Sequence, residues 1–573
     1  METIIRNLLR IGLVSIYPIV LMLLFAIILH KKRYQQALKN KWKQLLINTI
    51  IITIISTTVI MLFFYFEDMI YSYDYSGHWV RFLELRELFF ESPKDILSLV
   101  YNSMNYNDYS YLPALFMLPF SIFGVGYGYF CLSIFIYFLL PFVVFSQIIY
   151  YGNFDKFDYL PAFIYIAFYP LYYGIFFNEV DCVGLIFILF TIIILFTQSI
   201  DEIDIFDIIG VNLSVFTLLF LRRYYLYYVF SMYLVFLIKT ILQIKHSNTN
   251  YRIIILKTIA TGFIALLVIL VLFMPYVVGV LSNNFSEAYA VYDRDNKISA
   301  LINYFSILTL CVSIFGIYKA YNRKTLSFVL QIVATIIITC LLFWRVQAFE
   351  YHHYNLISVQ FLILFTYGIY NLSKDKQYIS FAFIFLLTFQ TTNIFLNFVP
   401  KSFPILTTQR KQPEIFWGLE KFKDLNTYLS ELTAGDGISV YLASGSSIFN
   451  DDLLRNANLP DLSKRPSIDS AIFDLRDGFP KDLEHIRYVL TIDPIQYINK
   501  DYQHMYDVIS NAIWNKPTIS DIYTLIYTDK ISGLTINIYE KTGDYTPEIK
   551  QYFYDEMIIH YPDKIEEFKY ILE

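Results

Sequence analysis

Apolar runs of about 20 residues recur along most of this chain, and each is long enough to cross a bilayer core ~30 Å thick as a helix. Of the 573 residues, 56% are hydrophobic and 19% are aromatic, and the mean hydropathy is +0.48. The sequence therefore predicts an α-helical polytopic membrane protein. About 12 transmembrane helices are expected from these runs, near residues 11–30, 46–66, 126–150, 159–177, 182–198, 207–221, 224–242, 253–275, 298–318, 325–343, 354–371 and 378–398. The runs 182–198 and 207–221 are the shortest, and one of the two runs that flank residue 222 fits a re-entrant segment as well as a span.

Composition excludes several other classes of protein. The net charge is only -5, and no stripe of Lys and Arg alternates with aromatics, so nucleic acid is not an expected partner. The four cysteines lie in or beside apolar runs, which gives no support to a disulfide framework or a CxxC metal site. The first apolar run is too long for a signal peptide and has no small-residue cleavage site, so we interpret it as a membrane helix.

The orientation in the membrane follows from the basic loops. The loop "KKRYQQALKNKWK" is strongly basic, "YKAYNRK" and "LSKDKQ" are weakly basic, and alternation of the spans puts all three on one side. The positive-inside rule makes that side cytoplasmic and the segment after residue 400 external, in a multi-pass protein of the cell membrane. The loop "DEIDIFD" at 201–207 has no basic residue, although the same alternation puts it on the cytoplasmic side.

Three regions follow from these patterns. Residues 1–45 form an extra N-terminal membrane helix and a basic cytoplasmic loop, 46–400 form a transmembrane domain with a large external loop at 67–110, and 401–573 form a small external α/β domain. Within the last region "GISVYLAS", "RYVLTID", "IYTLIYTD" and "LTINIYEK" predict strands, and 414–433, 502–515 and 546–572 predict helices. The stretch "YLPALFMLPFSIFG" at 111–124 is apolar but short and broken by two prolines, which favours a re-entrant or interfacial piece.

Ionisable residues collect on the predicted external side. The loop stretch "YSYDYSGHW" places Asp74 and His78 four residues apart, on one face if the stretch is helical, and Asp68 lies at the mouth of the second span. A carboxylate in that position can orient the imidazole or accept a proton. An aromatic belt with charges in headgroup water explains the same residues equally well.

Other charged groups lie at the ends of further apolar runs: Glu179, Asp181, Arg222, Arg223, Arg345, His352 and His353. Paired guanidiniums such as Arg222 and Arg223 suit a phosphate or pyrophosphate, and lipid headgroup contact is the alternative. The His352–His353 pair has no third ligand at a useful spacing, so a divalent metal has no support from the sequence and no cofactor is expected. Together these groups describe a cavity for a substrate that is half lipid and half charged.

The layout resembles the GT-C class of integral-membrane glycosyltransferases, which includes protein O-mannosyltransferases and aminoarabinose transferases of lipid A. The likeness covers residues 46–400: "FEDMIYSYDYSGHW" occupies the place of the acidic motif in the first external loop, and "NDYSYLPALFMLP", with Asp108, that of a later aromatic and proline stretch. "NEVD" resembles a second acidic position, and "RVQAFEYHHY" resembles a late external motif near the lipid phosphate. An extra span before the acidic loop and the lack of adjacent acids beside its tyrosines depart from the class.

The resemblance implies an inverting glycosyltransferase that moves a sugar from a polyprenyl-phosphate donor to a lipid, glycan or protein acceptor outside the membrane. Asp74 would be the catalytic base, with Asp68 as the alternative and His78 as its helper. The arginines and histidines would bind the lipid phosphate, and Glu179, Asp181 and Asp108 would bind substrate. A lipid-linked glycan flippase, another transporter or a polysaccharide polymerase are the alternatives.

Overall fold

The computed structural model describes residues 2–107, 109–151, 159–176, 181–246, 251–282, 297–320, 325–346, 349, 351–373, 377–396, 412–435 and 439–573. The chain divides into two compact units. The helical unit comprises Met1–Glu67 and His78–Pro413, and the C-terminal unit comprises Asp68–Gly77 and Glu414–Glu573.

Most of the helical unit consists of helices that follow the apolar runs. These helices are α1 (Glu2–His30), α2 (Lys32–Phe66), α3 (Asp74–Glu91), α4 (Pro93–Tyr106), α5 (Leu112–Met117), α6 (Tyr127–Tyr151), α7 (Leu160–Ala167), α8 (Pro170–Phe176), α9 (Asp181–Leu195), α10 (Ile205–Leu221), α11 (Tyr225–His246), α12 (Tyr251–Leu272), α13 (Met274–Ser282), α14 (Lys297–Phe305), α15 (Ile307–Ala320), α16 (Leu326–Val346), α17 (Asn355–Ser373) and α18 (Gln377–Leu396). The first four residues of α3 belong to the C-terminal unit.

Within the described residues, seven helices are long and apolar enough to cross a membrane: Ile4–His30, Lys39–Phe66, Tyr127–Ile149, Tyr225–Lys245, Tyr251–Leu272, Leu326–Val346 and His352–Leu372. The bent pair α14 and α15 makes an eighth if it is one span. The protein is therefore a multi-pass membrane protein, and exposed apolar side chains along α2 and α12, such as Ile54 and Leu256, fit contact with lipid.

The expected number of 12 spans is too high for these residues. The run 159–177 is broken into α7 and α8 just before Pro170, which cannot donate a backbone hydrogen bond. The run 298–318 bends by 89° at Ser306, whose φ of 67° leaves the helical region. Helices α9 and α10 have 15 and 17 residues and are shorter than a typical span.

The centre of the helical unit is formed by α9 and α17. Residues Cys182–Leu195 of α9 are buried on every side, so its continuous apolar sequence reflects a core position. Helices α15 and α17 approach closely at Gly316 and Gly368, where a Cβ at Gly316 would lie 2.5 Å from the carbonyl oxygen of Leu364. Small residues at such crossings let two helix backbones meet.

The C-terminal unit is an α/β sandwich. Its strands are β1 (Val440–Leu442), β2 (Ile468–Asp469), β3 (Tyr488–Asp493), β4 (Tyr523–Ile531) and β5 (Leu534–Lys541), and its helices are α19 (Leu419–Leu432), α20 (Asp451–Asn456), α21 (Asp474–Asp477), α22 (His504–Asn515), α23 (Pro517–Ser520), α24 (Pro547–His560) and α25 (Ile565–Phe568). The sheet order is β2-β1-β3-β5-β4, with the first three strands parallel and β5 antiparallel to both neighbours. The small sheet expected in this region is confirmed, and the two-residue strand β2 is the part that the sequence pattern did not predict.

Each face of the sheet has its own apolar core. One core joins the sheet to α22 and α24 through residues such as Val489, Ile509 and Phe553. The other joins it to α19 and α20 and also contains Ile70, a residue from the short segment Asp68–Gly77. The segment that the sequence presents as a loop between membrane helices thus contributes a core side chain to the C-terminal unit.

Candidate functional site

Helix α10 joins two clusters of charged residues in the helical unit. Its 17 residues span about 26 Å at 1.5 Å per residue. At its N-terminus, Asp204 and Asp207 cap the helix reciprocally, and Lys31 Nζ lies 2.7 Å from Asp204 and 2.6 Å from Asp207. Residues 32–43 of the predicted basic loop form the start of α2, and only Lys31 lies between α1 and α2. Lys31 and the acidic loop 201–207 therefore lie at the same end of α10, where Lys31 pairs with the acids of that loop.

The second cluster is at the C-terminal end of α10. The helix stops at Leu221 because Arg222 has an extended backbone, with φ -155° and ψ 137°, and α11 starts at Tyr225. This break turns the Arg222 side chain toward α3, where its Nη1 lies 3.4 Å from His78 Nε2. His78 is buried, so the pair lies inside the helical unit.

Two arginines in this cluster contact the same aromatic ring. The guanidinium carbon of Arg222 lies 4.7 Å from the centroid of Tyr109, and that of Arg81 lies 5.5 Å from the same centroid. The Arg81 carbon also lies 5.7 Å from the centroid of Tyr111. Such cation–π contacts hold guanidiniums in place, and a guanidinium can bind an oxyanion through paired N–H groups.

Two histidines extend the cluster through Tyr224. The Tyr224 ring lies 4.9 Å from His353 and 5.8 Å from His352, and the two imidazoles are 3.8 Å apart by their centroids. The guanidinium carbon of Arg222 lies 5.4 Å from the Tyr224 ring. Arg222 therefore links the α3 side of the cluster with the histidine pair. We call His78, Arg81, Tyr109, Arg222, Tyr224, His352 and His353 the arginine cluster.

Positive charge dominates the arginine cluster. Burial lowers the pKa of Arg81, and repulsion from Arg222 lowers it further, although Tyr111, Glu84 and Tyr109 act in the opposite direction. Glu84 accepts a hydrogen bond of 2.5 Å from the Tyr111 hydroxyl. A guanidinium stays charged under all ordinary conditions, so an arrangement of this kind favours an anionic ligand.

Arg223, the second arginine of the predicted pair, points elsewhere. Its Nη2 donates a hydrogen bond of 3.3 Å to the backbone carbonyl of Asn107. The adjacent arginines thus have different surroundings: Arg222 contacts aromatic rings, and Arg223 contacts the loop that follows α4.

The predicted bases Asp68 and Asp74 belong to the C-terminal unit. Asp68 is exposed, and its backbone forms a parallel bridge with Ile415, in which Asp68 N donates to Glu414 O at 2.9 Å and Phe416 N donates to Asp68 O at 2.7 Å. Asp74 is the first residue of α3, and His78 follows one turn later, as the spacing predicts.

Side chains of α20 fix the segment that carries Asp74. The Asn456 side-chain nitrogen donates to Tyr71 O at 3.1 Å and to Ser76 Oγ at 3.0 Å, and the Tyr73 backbone nitrogen donates to Asp452 Oδ2 at 2.7 Å. Tyr73 has a φ of 53°, which is rare for a residue with a side chain. These hydrogen bonds from α20 lie on both sides of Asp74 in the sequence and hold Tyr73 in this conformation.

The remaining predicted residues have mixed outcomes. Arg345 is exposed in the last turn of α16 and has no contact with the arginine cluster among the described residues. Asp181 is the first residue of α9, but the structure does not describe its side chain. Asp108 and Glu179 lie outside the described part of the chain. The proposed roles of these three acids stay predictions.

Sequence reasoning missed several members of the arginine cluster. Arg81 follows His78 by three residues on α3, a spacing that could have placed both on one helix face. Tyr109 and Tyr224 carry no such signal, because nothing local distinguishes them from the many other tyrosines of the chain. Within the described ranges, no group of three or more His, Cys, Asp and Glu residues could hold a metal ion.

Comparisons with models of known protein families and with curated proteins find no match to this chain.

Proposed function

We propose that the protein is a membrane glycosyltransferase of the GT-C type, which moves a sugar from a polyprenyl-phosphate donor to an acceptor on the external face. One observation carries this proposal: Arg81 and Arg222 both contact Tyr109, with His78 3.4 Å from Arg222, at the end of α10 remote from Lys31. By the positive-inside rule the Lys31 end is cytoplasmic, so the arginine cluster would be external.

The cluster suits the phosphate of a lipid-linked donor. Two guanidiniums can bind a phosphate through paired N–H groups and balance its charge in surroundings of low dielectric. The apolar helices around them can hold a prenyl chain. A free nucleotide sugar is a poorer candidate, since such donors are cytoplasmic.

In the proposed reaction, an acceptor oxygen forms a bond to the anomeric carbon of the sugar. The bond from that carbon to the phosphate oxygen breaks, and its electron pair leaves with the lipid phosphate. Asp74 takes the proton of the acceptor hydroxyl, while His78, one helical turn away, orients the base or the acceptor. Arg81 and Arg222 stabilise the negative charge that develops on the phosphate.

The test supplies purified, reconstituted protein with polyprenyl-phosphate sugars and measures transfer to acceptor lipids or glycans. Arg222→Gln is expected to lower the turnover by about 100-fold or more, because it removes a preorganised donor to the leaving phosphate. Asp74→Asn is expected to lower it by a similar factor, because it removes a general base.

The matched control is Arg252→Gln. Arg252 is an exposed arginine at the start of α12, and this helix begins at the Lys31 end of α10, where Lys257 donates to the Asp201 carbonyl. Equal losses in Arg222→Gln and Arg252→Gln would argue against the arginine cluster as the donor site. Full activity of Asp74→Asn would exclude Asp74 as the base and leave Asp68 to be tested in the same way.

Charged residues at both ends of α10 favour a second candidate, a transporter of lipid-linked glycans. Asp207 is buried in an ion pair with Lys31 at one end of α10, and buried charges in a membrane protein often mark transport paths. A transporter moves a labelled polyprenyl-phosphate sugar across a proteoliposome without breaking the sugar–phosphate bond. Translocation with no new glycosidic bond would favour this candidate over the transferase.

A further inference from the structure

A surface depression of about 420 Å³ lies on the sheet of the C-terminal unit, a volume within the range of ~300–1,000 Å³ that is typical of small-molecule sites. Three aromatic and three polar side chains line it: Trp514, Tyr523, Tyr539, Asp493, Ser520 and Asn537. Ile513 and Leu525 complete its wall.

The depression forms where the helical cover of the sheet ends. Helix α22 packs over the half of this face that contains Val489 and stops at Asn515, so the next residues of β3 and β5 on that face lie beyond it. Thr491 of β3 pairs with Asn537 of β5, and Leu525 of β4 pairs with Tyr539. The floor is therefore part of the hydrogen-bonded sheet, with a register shift between Leu525 and Tyr527 at the β4 edge.

The Trp514 ring has a fixed position at the edge of this floor. Its Nε1 donates a hydrogen bond of 3.0 Å to the buried Thr491 Oγ1. Trp514 itself remains partly exposed, so one part of its surface is available to a ligand. An aromatic ring that is both fixed and accessible is a good platform for the apolar face of a sugar.

Polar groups next to this ring offer hydrogen bonds to hydroxyl groups. The Asn537 side-chain oxygen Oδ1 accepts a hydrogen bond of 2.8 Å from Thr528 Oγ1. The side-chain nitrogen Nδ2 of Asn537 has no hydrogen-bond partner among the described residues. Asp493 is exposed, and its carboxylate likewise makes no hydrogen bond within the described part of the chain. One donor and two acceptor oxygens thus lie within the same depression.

We propose that this depression binds a neutral saccharide. A sugar ring combines an apolar C–H face, which can stack on Trp514 or Tyr539, with hydroxyls that match Asp493 and Asn537. The lining contains no lysine or arginine, and the Asp493 carboxylate disfavours anionic ligands such as uronic acids or phosphates. The site would hold a glycan by its carbohydrate portion, whether or not the helical unit is a transferase.

Saturation-transfer NMR on the full chain in detergent micelles tests the proposal without any lipid-linked donor. The probes are linear neutral tetrasaccharides of glucose, N-acetylglucosamine, mannose and galactose, with tetragalacturonate as the anionic comparison. We expect saturable transfer to the ring protons of at least one neutral probe and weaker transfer to tetragalacturonate. Trp514→Ala is expected to weaken the binding by about tenfold, the loss that corresponds to one stacking contact.

Trp417→Ala is the matched control, because Trp417 is a tryptophan of the same unit that is 82% exposed and does not line the depression. Asn537→Ala provides a second variant that keeps the Trp514–Thr491 contact, and it should also weaken binding. Absence of transfer to all four neutral probes would overturn the proposal. Equal effects of Trp514→Ala and Trp417→Ala, or tighter binding of the anionic probe, would overturn it as well.

Discussion

Asp474 is a buried carboxylate that joins three parts of the C-terminal unit. It accepts hydrogen bonds from the backbone nitrogens of His504 at 2.6 Å and Met505 at 3.2 Å, which begin α22, and from the Tyr561 hydroxyl at 2.8 Å. Burial raises the pKa of Asp474 to about 6, although all three hydrogen bonds favour the charged form. This carboxyl group therefore titrates close to physiological pH.

The contribution of Asp474 to the free energy of unfolding of the C-terminal unit should decrease as the pH rises through this range. The folded unit holds the Asp474 proton more tightly than the unfolded chain, whose value is 3.8. The resulting stabilisation is complete below pH 3.8 and is lost as the pH rises through about 6, a difference of roughly 3 kcal/mol.

Thermal unfolding of the full chain measures this effect when it is followed from about pH 4 to about pH 7, a range that contains the folded pKa of Asp474. Asp474→Asn should flatten the pH dependence, whereas Asp482→Asn, which changes an exposed acid of the same unit, should leave it intact. If the difference in stability between wild type and Asp474→Asn did not change with pH across this window, the assignment to Asp474 would be wrong.

Single residues of the arginine cluster illustrate how far sequence reasoning reaches. His78 and Arg222 were recognisable because an ionisable group beside an apolar run is costly unless it has a partner or a ligand. Arg345 satisfied the same criterion, yet it is exposed in the last turn of α16. The criterion identifies candidates but does not show which of them meet, since that depends on how α3, α10 and α16 pack.

At the scale of elements, the segment Asp68–Gly77 changes the interpretation of the large loop. It belongs to the C-terminal unit, where it adds Ile70 to a core and is fixed by Asn456 and Asp452. The predicted base Asp74 lies in this segment and starts α3. Its position is therefore set by contacts with residues nearly four hundred positions later in the chain.

Asn456→Ala should release this segment from α20. The substitution removes the hydrogen bonds to Tyr71 O and Ser76 Oγ, and loss of a buried donor costs about 1–3 kcal/mol. Hydrogen–deuterium exchange of residues 68–77 is expected to accelerate, and turnover with a lipid-linked sugar should decrease if Asp74 is the base.

Asn458→Ala is the matched control for this experiment. The Asn458 side chain donates to Lys423 O and to Asn426 Oδ1 in the same unit and does not contact the segment 68–77. Unchanged exchange of the segment in Asn456→Ala would show that its other contacts are sufficient to hold it.

At the scale of the whole molecule, the clusters at the two ends of α10 give the helical unit a polarity. Lys31 pairs with Asp204 and Asp207 at one end, and the arginine cluster lies at the other. The loop 201–207 lacks basic residues of its own. Two of its acids, Asp204 and Asp207, pair instead with Lys31, which lies between α1 and α2.

Cysteine labelling tests the predicted orientation of the chain. In a variant with Ser at the four native cysteine positions, we expect a membrane-impermeant maleimide to label Lys32→Cys only from the cytoplasmic side. The same reagent should label Trp417→Cys only from outside. Lys32 and Trp417 are both exposed, so a cysteine at either position is accessible to the reagent. Labelling of both positions from one side would contradict an external C-terminal unit.

The sequence by itself determined the class of this protein and the existence of the C-terminal sheet. Both depend on local periodicity, because a long apolar run must be buried in lipid or core, and alternating residues must form strands. It did not determine which apolar runs are full spans. Burial of α9 within the protein and the bend at Ser306 depend on packing and on backbone geometry, which composition does not record.

Only the tertiary structure decided which distant residues meet. The contacts of Arg222 with His78, Tyr109 and Tyr224 arise because α10 ends in an extended residue next to α3. The attachment of Tyr73 to Asp452 joins residues 379 positions apart. Such pairs leave no periodic signal in a single sequence, since their proximity depends on the arrangement of many intervening elements.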